Sequence, residues 1–107
     1  MKRFLPLLIG LPLLFAQSDE ATLQKLRERM IQQDIAGRGI AKPRILKAFA
    51  QVPRHRFVAP SLRAQAYDDN ALPIAEGQTI SQPYIVALMT SIIAPTYPRK
   101  VLEIGTG

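Results

Sequence analysis

The 107-residue sequence contains no cysteine, and it has a single histidine, His55. Without cysteine there is no disulfide, no thiolate metal ligand and no cysteine nucleophile. A metal site needs several ligand side chains, so the sequence predicts no metal site. His55 is interpreted as an ordinary surface or capping residue.

The sequence also lacks a dense run of charge of one sign. It has 14 Lys and Arg against 8 Asp and Glu, a net charge of +6, but the basic residues are spread out and mixed with acidic ones. No aromatic side chains are interleaved with them, as a base-stacking surface would require. Solvated helix faces are favoured, and nucleic-acid binding is the weaker alternative.

One uncharged run, FLPLLIGLPLLFA at residues 4–16, follows Lys2 and Arg3. A basic opening, a short apolar stretch and a small residue at its end, Ala16, are typical of a secretory signal. The run is shorter than the roughly 20 residues of a transmembrane helix. We therefore predict that residues 1–16 are a signal peptide or an anchor and that the protein is exported or periplasmic. A buried N-terminal helix is the alternative.

Helical patterning dominates the next fifty residues. A first amphipathic helix is predicted over residues 19–36, ending at two glycines, and a second begins at Pro43 and closes at Val52-Pro53. A connector at residues 54–58 is expected to bury Phe57. A third, short helix runs from about residue 60 to 67, and residues 68–70 form a turn. The apolar positions of the first two helices are Leu23, Leu26, Met30, Ile31, Ile45, Leu46 and Phe49.

From residue 71 on, the helical pattern gives way to short extended and loop segments. Residues 71–74 suggest a short extended piece that Pro73 confines to an edge, and residues 75–78 suggest a loop. A helix is predicted over residues 82–94 with Ser81 as its N-cap, and a buried strand over residues 101–104. The expected buried stripe of the helix consists of Ile85, Leu88, Met89, Ile92 and Ile93.

The strand runs directly into Gly105-Thr106-Gly107. A G-x-G turn after an apolar strand lets the backbone approach a bound nucleotide without a side-chain collision. The motif alone does not separate a methyltransferase from a dehydrogenase. A lone terminal strand has no sheet partner, so the chain is interpreted as cut at its C-terminus.

A second group of chemically relevant residues is the polar loop that precedes the predicted helix at 82–94. Its side chains offer neutral donors at a helix N-terminus, where free N–H groups favour a carboxylate. The alternative is that Ser81 only caps its own helix. A serine nucleophile is disfavoured because the sole histidine lies in a distant connector. The donors are Gln78, Thr79, Ser81 and Gln82.

The stretch LPIAEGQTISQPYIVALMTSII, followed by VLEIGTG, resembles the protein-L-isoaspartate O-methyltransferase family. The segment from Ile45 to Val58 and the residues before the loop fit the same family. The similarity extends over about residues 24–107, and GQTISQP is far more specific than the glycine turn. The family commonly has glycine where this chain has Ala75, which predicts a less free loop.

The resemblance implies an α/β fold of the class I S-adenosylmethionine-dependent methyltransferases, a Rossmann-like doubly wound sheet. Residues 17–71 would be its N-terminal helical extension. Residues 72–107 would begin the methyltransferase domain and end at its first strand. The expected reaction is methyl transfer to the free carboxylate of L-isoaspartyl and D-aspartyl residues in damaged proteins, which initiates repair. The chain by itself is expected to be inactive.

The resemblance also implies roles for individual residues. Ser81 would be the active-site serine, positioning the substrate rather than attacking it, with Thr79 and Gln82 beside it in substrate binding. S-adenosyl-L-methionine is the implied cofactor. Its expected binding residues are Ile74, Gly77, Gln78, Thr79, Glu103, Gly105 and Gly107.

The expected partners are proteins or peptides that carry isoaspartyl residues, with no nucleic acid and no metal. Membrane contact is expected only through residues 1–16, and a monomer is expected. A cytoplasmic location, usual for the family, is the alternative to export. Two other functions stay open: a nicotinamide-dependent oxidoreductase fragment and a non-catalytic helical interaction module.

Overall fold

The computed structural model describes residues 19–94 and 100–105. The predicted signal or anchor segment at residues 1–16 and the predicted cofactor residue Gly107 lie outside the described residues. Helix α1 covers residues 19–30. The later elements are a π-helical turn Ile31–Ile35, a 3-10 turn Ala36–Arg38, helix α2 Pro43–Gln51, 3-10 turns Arg54–Phe57 and Pro60–Gln65, strands β1 Leu72–Pro73 and β2 Thr79–Ile80, and helix α3 Pro83–Ile93.

The first predicted helix is confirmed, but its last third is not regular α-helix. It widens into the π-helical turn and then tightens into the 3-10 turn. Gly39, with φ of 96°, ends it in the left-handed conformation that glycine adopts most readily. The backbone N–H of Ile40 donates to the Ile35 carbonyl at 3.1 Å, which satisfies a carbonyl at the helix end.

Helix α2 begins at Pro43 and ends before Pro53, as the sequence predicts. Proline at the first position fits because that N–H has no partner in a helix. Val52 is already extended, with ψ of 118°, since the residue before a proline avoids the helical region. Ile45 is buried, and Leu46 and Phe49 pack against the core.

One hydrophobic core joins the three helices to the hairpin. Side chains from α1, α2 and α3 meet residues of the turns and of β1 in it, which fixes the hairpin against the helices. The buried apolar residues are Leu23, Met30, Ile35, Ile40, Ile45, Val58, Ala66, Tyr67, Leu72 and Ala87.

The expectation that Phe57 is buried is wrong, because its side chain is 62% exposed. Arg54 and His55 are buried instead, at 7% and 2% exposure. The guanidinium of Arg54 donates to the Ala66 carbonyl at 2.6 Å and to the Asn70 carbonyl at 3.3 Å. These hydrogen bonds offset the cost of burying the charge of Arg54. A prediction from side-chain hydrophobicity alone favours burial of Phe57 instead.

The predicted buried stripe of α3 is only partly correct. Met89, Ile92 and Ile93 are 61%, 73% and 71% exposed. The fully buried positions are Pro83 and Ala87 near the start of the helix. The N-terminal half of α3 is therefore packed, while its C-terminal half presents an apolar surface.

The predicted strand at residues 101–104 is not formed. Val101, Leu102 and Ile104 are 74%, 84% and 88% exposed. A strand needs a neighbour for its backbone hydrogen bonds, and the described residues offer none. The sheet in the described part of the chain consists of β1 and β2, which pair antiparallel. The doubly wound parallel sheet is not seen there.

Candidate functional site

The polar loop forms a β-hairpin that leads into α3. Leu72 pairs with Ile80 and Pro73 with Thr79. The Ile74 N–H donates to the Gln78 carbonyl at 2.8 Å. The predicted extended piece at residues 71–74 is thus confirmed as β1, and Thr79 and Ile80 form its partner strand.

The tip of the hairpin is a tight turn with two successive left-handed residues. Glu76 has φ of 63° and Gly77 has φ of 66°, and the Gln78 N–H donates to the Ala75 carbonyl at 3.3 Å. Positive φ at both central positions is characteristic of the type I′ turn. Ala75 itself has no positive φ, so alanine fits where glycine was expected from the family pattern.

The N-cap of α3 is Gln82, not the predicted Ser81, and Gln82 makes no side-chain cap bond. Ser81 is exposed, and its hydroxyl makes no hydrogen bond to any other described residue. It is therefore available to a ligand, which a capping serine would not be.

Asp69, from the turn before the hairpin, caps α3 from a distance. Its Oδ1 accepts from the backbone N–H of Tyr84 at 3.0 Å. Its Oδ2 accepts from Gln82 Nε2 at 2.8 Å and from Arg38 Nη1 at 3.0 Å. The helix and the two turns at residues 19–38 form the first helical segment. The Asp69 carboxylate thus links the end of this segment to the first turn of α3.

Two arginines support this arrangement from either side. The guanidinium of Arg38 stacks over the ring of Tyr84, 3.5 Å from its centroid, a cation–π contact. Arg54 holds the carbonyls of Ala66 and Asn70, which flank Asp69. Burial lowers the pKa of Arg54 from its usual value, while the neighbouring Tyr67 and Asp69 raise it.

His55 is not the surface or capping residue that the sequence suggests. Its Nδ1 lies 2.8 Å from the Tyr67 hydroxyl in a buried hydrogen bond. Its Nε2 lies 3.3 Å from Glu20 Oε1, without the alignment of a hydrogen bond. Arg27 lies 5.6 Å from the centroid of the Tyr67 ring. This cluster ties α1 to the connector and places His55 in the core, away from the Ser81 hydroxyl.

The structure brings together most of the predicted site residues. The substrate candidates Thr79, Ser81 and Gln82 are consecutive or nearly so at the junction of β2 and α3. The cofactor candidates of the hairpin lie just before them, at the tip and on β2. These are Ile74, Gly77, Gln78 and Thr79, of which Ile74 is half-buried and the others are exposed.

The remaining cofactor candidates are not joined to that group. Glu103 and Gly105 lie on an exposed segment, and no hydrogen bond links residues 100–105 to the hairpin among the residues described. Gly105 has φ of 79°, so the backbone there already has the conformation of a glycine turn.

Sequence reasoning missed Asp69 and Arg38. The sequence predicts only a turn at Asp69 and a solvated charge at Arg38, and it assigns neither residue to the site. The available signal was an acidic residue shortly before a helix whose own N-terminal residue, Gln82, is a poor cap.

An open apolar cleft of about 390 Å³ lies between α1, α2 and α3. Its wall is almost entirely hydrocarbon, with Arg54 at one side. The lining residues are Met30, Ile45, Ala48, Phe49, Val52, Arg54, Phe57, Ile80, Val86 and Thr90. Two of the lining side chains, Val52 and Phe57, are 50% and 62% exposed.

Among residues 19–94 and 100–105, no group of three or more His, Cys, Asp or Glu side chains could hold a metal ion. Within the same ranges, no helix combines the length and the apolar character needed to cross a bilayer.

A sequence model described as Protein-L-isoaspartate(D-aspartate) O-methyltransferase matches residues 24–107. A Protein-L-isoaspartate O-methyltransferase of Trichlorobacter lovleyi is 59% identical over 81 residues, covering 76% of this chain and 37% of the relative. The protein of that name from Methanoregula boonei is 53% identical over 93 residues, covering 87% of this chain and 40% of the relative.

A third relative with this name, from Picosynechococcus sp., is 58% identical over 82 residues, covering 77% of this chain and 37% of its own length. The matched part of the chain thus spans roughly two fifths of each of these curated relatives, between 37% and 40% of their length. The residues that the family model matches, 24–107, include most of α1 together with α2, the hairpin and α3.

Proposed function

The chain belongs to the protein-L-isoaspartate (D-aspartate) O-methyltransferase family, and we propose that the complete protein methylates isoaspartyl residues. The methyl donor would be S-adenosylmethionine, and the acceptor would be the free carboxylate of L-isoaspartyl and D-aspartyl residues in damaged proteins. The observation that supports this most directly is the exposed Ser81 hydroxyl at the start of α3, which no described residue binds.

The proposed reaction suits a site of neutral donors. An isoaspartyl carboxylate is already ionised at neutral pH, so no general base is needed to activate it. A lone pair of the carboxylate oxygen forms the new O–C bond while the methyl–sulfur bond breaks, which leaves a neutral thioether and a methyl ester. A backbone amide nitrogen of the substrate can then attack the ester carbonyl and displace methanol, and hydrolysis of the resulting succinimide returns some normal aspartate.

The residues of the hairpin and α3 would bind and align the acceptor. Ser81 would donate its hydroxyl to the carboxylate, and Thr79 would contribute a second hydroxyl from β2. Gln82 has one amide N–H engaged by Asp69, so only its other N–H and its carbonyl remain for substrate. Alignment of this kind can supply a large part of the rate enhancement in a bimolecular transfer.

The residues in hand fit the proposed cofactor chemically. S-adenosylmethionine supplies a methyl group on a positively charged sulfur when it is bound. The chain would hold it through the hairpin residues Ile74, Gly77, Gln78 and Thr79, and through Glu103, Gly105 and Gly107. Gly77 and Gly105 have positive φ, and a Cβ at either would face open space. The absence of a side chain there would let a ligand approach the backbone closely.

We further propose the domain division and location predicted from the sequence. Residues 17–71 form the helical extension, and residues 72–107 begin the methyltransferase domain of the Rossmann-like class. Residues 1–16 direct export or anchor the protein. Cell fractionation with an antibody to residues 19–94 tests this location, and purely cytoplasmic protein with an intact N-terminus would contradict it. The oxidoreductase and the helical interaction module find no support in the family assignment.

The test of the function is methyl transfer by the complete protein from labelled S-adenosylmethionine to a peptide with one isoaspartyl residue. The matched control is the same peptide with a normal aspartyl residue at that position. We expect label only in the isoaspartyl peptide, released by mild base as an ester would be. Equal labelling of both peptides, or of neither, would refute the proposal.

A further inference from the structure

The Asp69 carboxylate receives hydrogen bonds from three residues on two segments of the chain. Arg38 comes from the end of the first helical segment, Gln82 from the N-cap of α3 and Tyr84 from its first turn. Its side chain is 19% exposed, against 46% for Arg38. The carboxylate is therefore the less exposed member of this ion pair.

The first consequence concerns capping. A helix has unpaired N–H groups at its start, and a serine directly before it commonly caps one of them with its hydroxyl. Here Asp69 accepts from the Tyr84 N–H across 15 residues of sequence, and Ser81 makes no cap bond. The distant carboxylate thus supplies the cap bond that the N-cap residue Gln82 does not make, and the Ser81 hydroxyl takes no part in it.

The second consequence concerns charge. A bare carboxylate bonded to Gln82, a residue of the proposed substrate site, would repel an anionic acceptor. Arg38 bonds to Asp69 at 3.0 Å and also stacks on Tyr84. The guanidinium neutralises the carboxylate and holds it against the helix start, so the pair presents no net charge to the acceptor.

We propose that Asp69 is a positioning residue for methyl transfer, with Arg38 as its charge partner. Asp69 fixes the start of α3 and leaves the Ser81 hydroxyl free for the acceptor carboxylate. This inference rests on the proposed function for its catalytic meaning, but the positioning itself is measurable without catalysis.

The principal variant is Asp69→Asn in the complete protein. The amide keeps one acceptor oxygen but turns an NH2 group towards the donors of Arg38 or Gln82. We expect turnover of the isoaspartyl peptide to fall about 10- to 100-fold, as for a misplacement near 1 Å, with the Kd for S-adenosylmethionine changed less than about twofold. The matched control is Asp68→Asn, because Asp68 is exposed and its side chain bonds to no described residue.

A second variant separates charge from support. Arg38→Ala leaves the Asp69 carboxylate without its cation, and we expect mainly a higher KM for the peptide, about 3- to 10-fold, since repulsion acts on binding. Arg38→Lys restores the charge without the planar stacking and should recover most of the KM. Arg38 is 46% exposed, so its replacement does not open the core.

The positioning is read directly by amide hydrogen exchange at residues 82–86. We expect the Tyr84 amide to exchange about tenfold faster in Asp69→Asn, because a neutral amide oxygen replaces the charged carboxylate as its acceptor, with protection at Ile45 unchanged. Unchanged exchange at Tyr84 would overturn the inference whatever the activity. Normal turnover in Asp69→Asn would overturn it as well. An inactive wild-type protein with the expected exchange pattern would refute the proposed function and leave the positioning of α3 standing.

Discussion

At the scale of single residues, the hairpin tip makes the sharpest demand on backbone conformation. Glu76 has φ of 63° although it carries a side chain, and a non-glycine residue in that region costs about 1–2 kcal/mol. Its neighbour Ala75 has no such strain. The two positions should therefore respond in opposite directions to the same substitution.

We expect Glu76→Gly to raise the free energy of unfolding by up to about 1 kcal/mol, because relief of strain exceeds the added chain entropy. Ala75→Gly, the matched control, should lower it by about 0.5–1 kcal/mol. Urea denaturation of both variants checks this. A loss of stability in both would show that the left-handed conformation at Glu76 is not strained.

Tyr67 gives a pH-dependent prediction at the same scale. Burial raises the pKa of its hydroxyl, which is opposed by Arg27 and by the bond to His55. Above about pH 10 the unfolded tyrosine loses its proton while the folded one keeps it. The contribution of Tyr67 to stability is thus complete below about pH 10 and is lost as pH rises towards the raised folded value.

The measurement is the free energy of unfolding of wild type and Tyr67→Phe from pH 8 to 11. The variant should be less stable by about 1 kcal/mol at pH 8, through loss of the hydrogen bond to His55, and the difference should shrink above about pH 10. Parallel curves across the range would contradict the raised pKa.

At the scale of elements, the first helical segment shows where sequence patterns suffice and where they do not. The buried face through Leu23 and Met30 and the end of the helix at Gly39 are predictable, because hydrophobic periodicity and glycine conformation are local properties of the sequence. The π-helical turn is not, since an extra residue per turn leaves no compositional mark. The residue that this turn constrains is Gly37, because a Cβ at that position would lie 2.8 Å from the Gln32 carbonyl oxygen.

Gly37→Ala should therefore destabilise the protein by more than about 1 kcal/mol, although alanine usually stabilises a helix relative to glycine. The control is Gln33→Ala, at an exposed site of the preceding π-helical turn, which should change stability by less than about 0.5 kcal/mol. Thermal unfolding of the two variants decides it, and a stabilised Gly37→Ala would mean that the Gln32 carbonyl is not so close.

The start of α3 shows the opposite case. Loop, helix and hydroxyl-rich motif were all predictable from GQTISQP, but the cap was assigned to Ser81 by proximity. The residue that accepts the hydrogen bond from the first turn of α3 is Asp69, which is distant from α3 in sequence and near it in the fold. Long-range side-chain bonds of this kind depend on how the π-helical and 3-10 turns after α1 pack near the start of α3, which no local pattern encodes.

At the scale of the whole molecule, the apolar surface stands out. The second half of α3 exposes Met89, Ile92 and Ile93, and large exposed apolar patches promote association. The sequence predicts that these residues are buried, and their exposure in the structure shows that this prediction is wrong. The chain matches 37% and 40% of the length of two curated relatives, so we expect further residues of a complete protein to cover this surface.

We therefore expect the 107-residue chain alone to bind an apolar dye and to self-associate, and the complete protein to do neither. The double variant Ile92→Lys, Ile93→Lys should reduce both effects in the short chain, while Gln51→Lys, at an exposed site on α2, should not. Sedimentation and dye fluorescence measure this. A monomeric short chain without dye binding would show that the surface is covered by other means.

The central claim concerns the free hydroxyl at the start of α3, and the most direct measurement is the kinetics of Ser81→Ala in the complete protein. We predict a fall in kcat for the isoaspartyl peptide of about 10-fold or more, with the Kd for S-adenosylmethionine nearly unchanged. A kcat equal to that of wild type would contradict the account, because the hydroxyl that Asp69 leaves free would then have no part in the transfer.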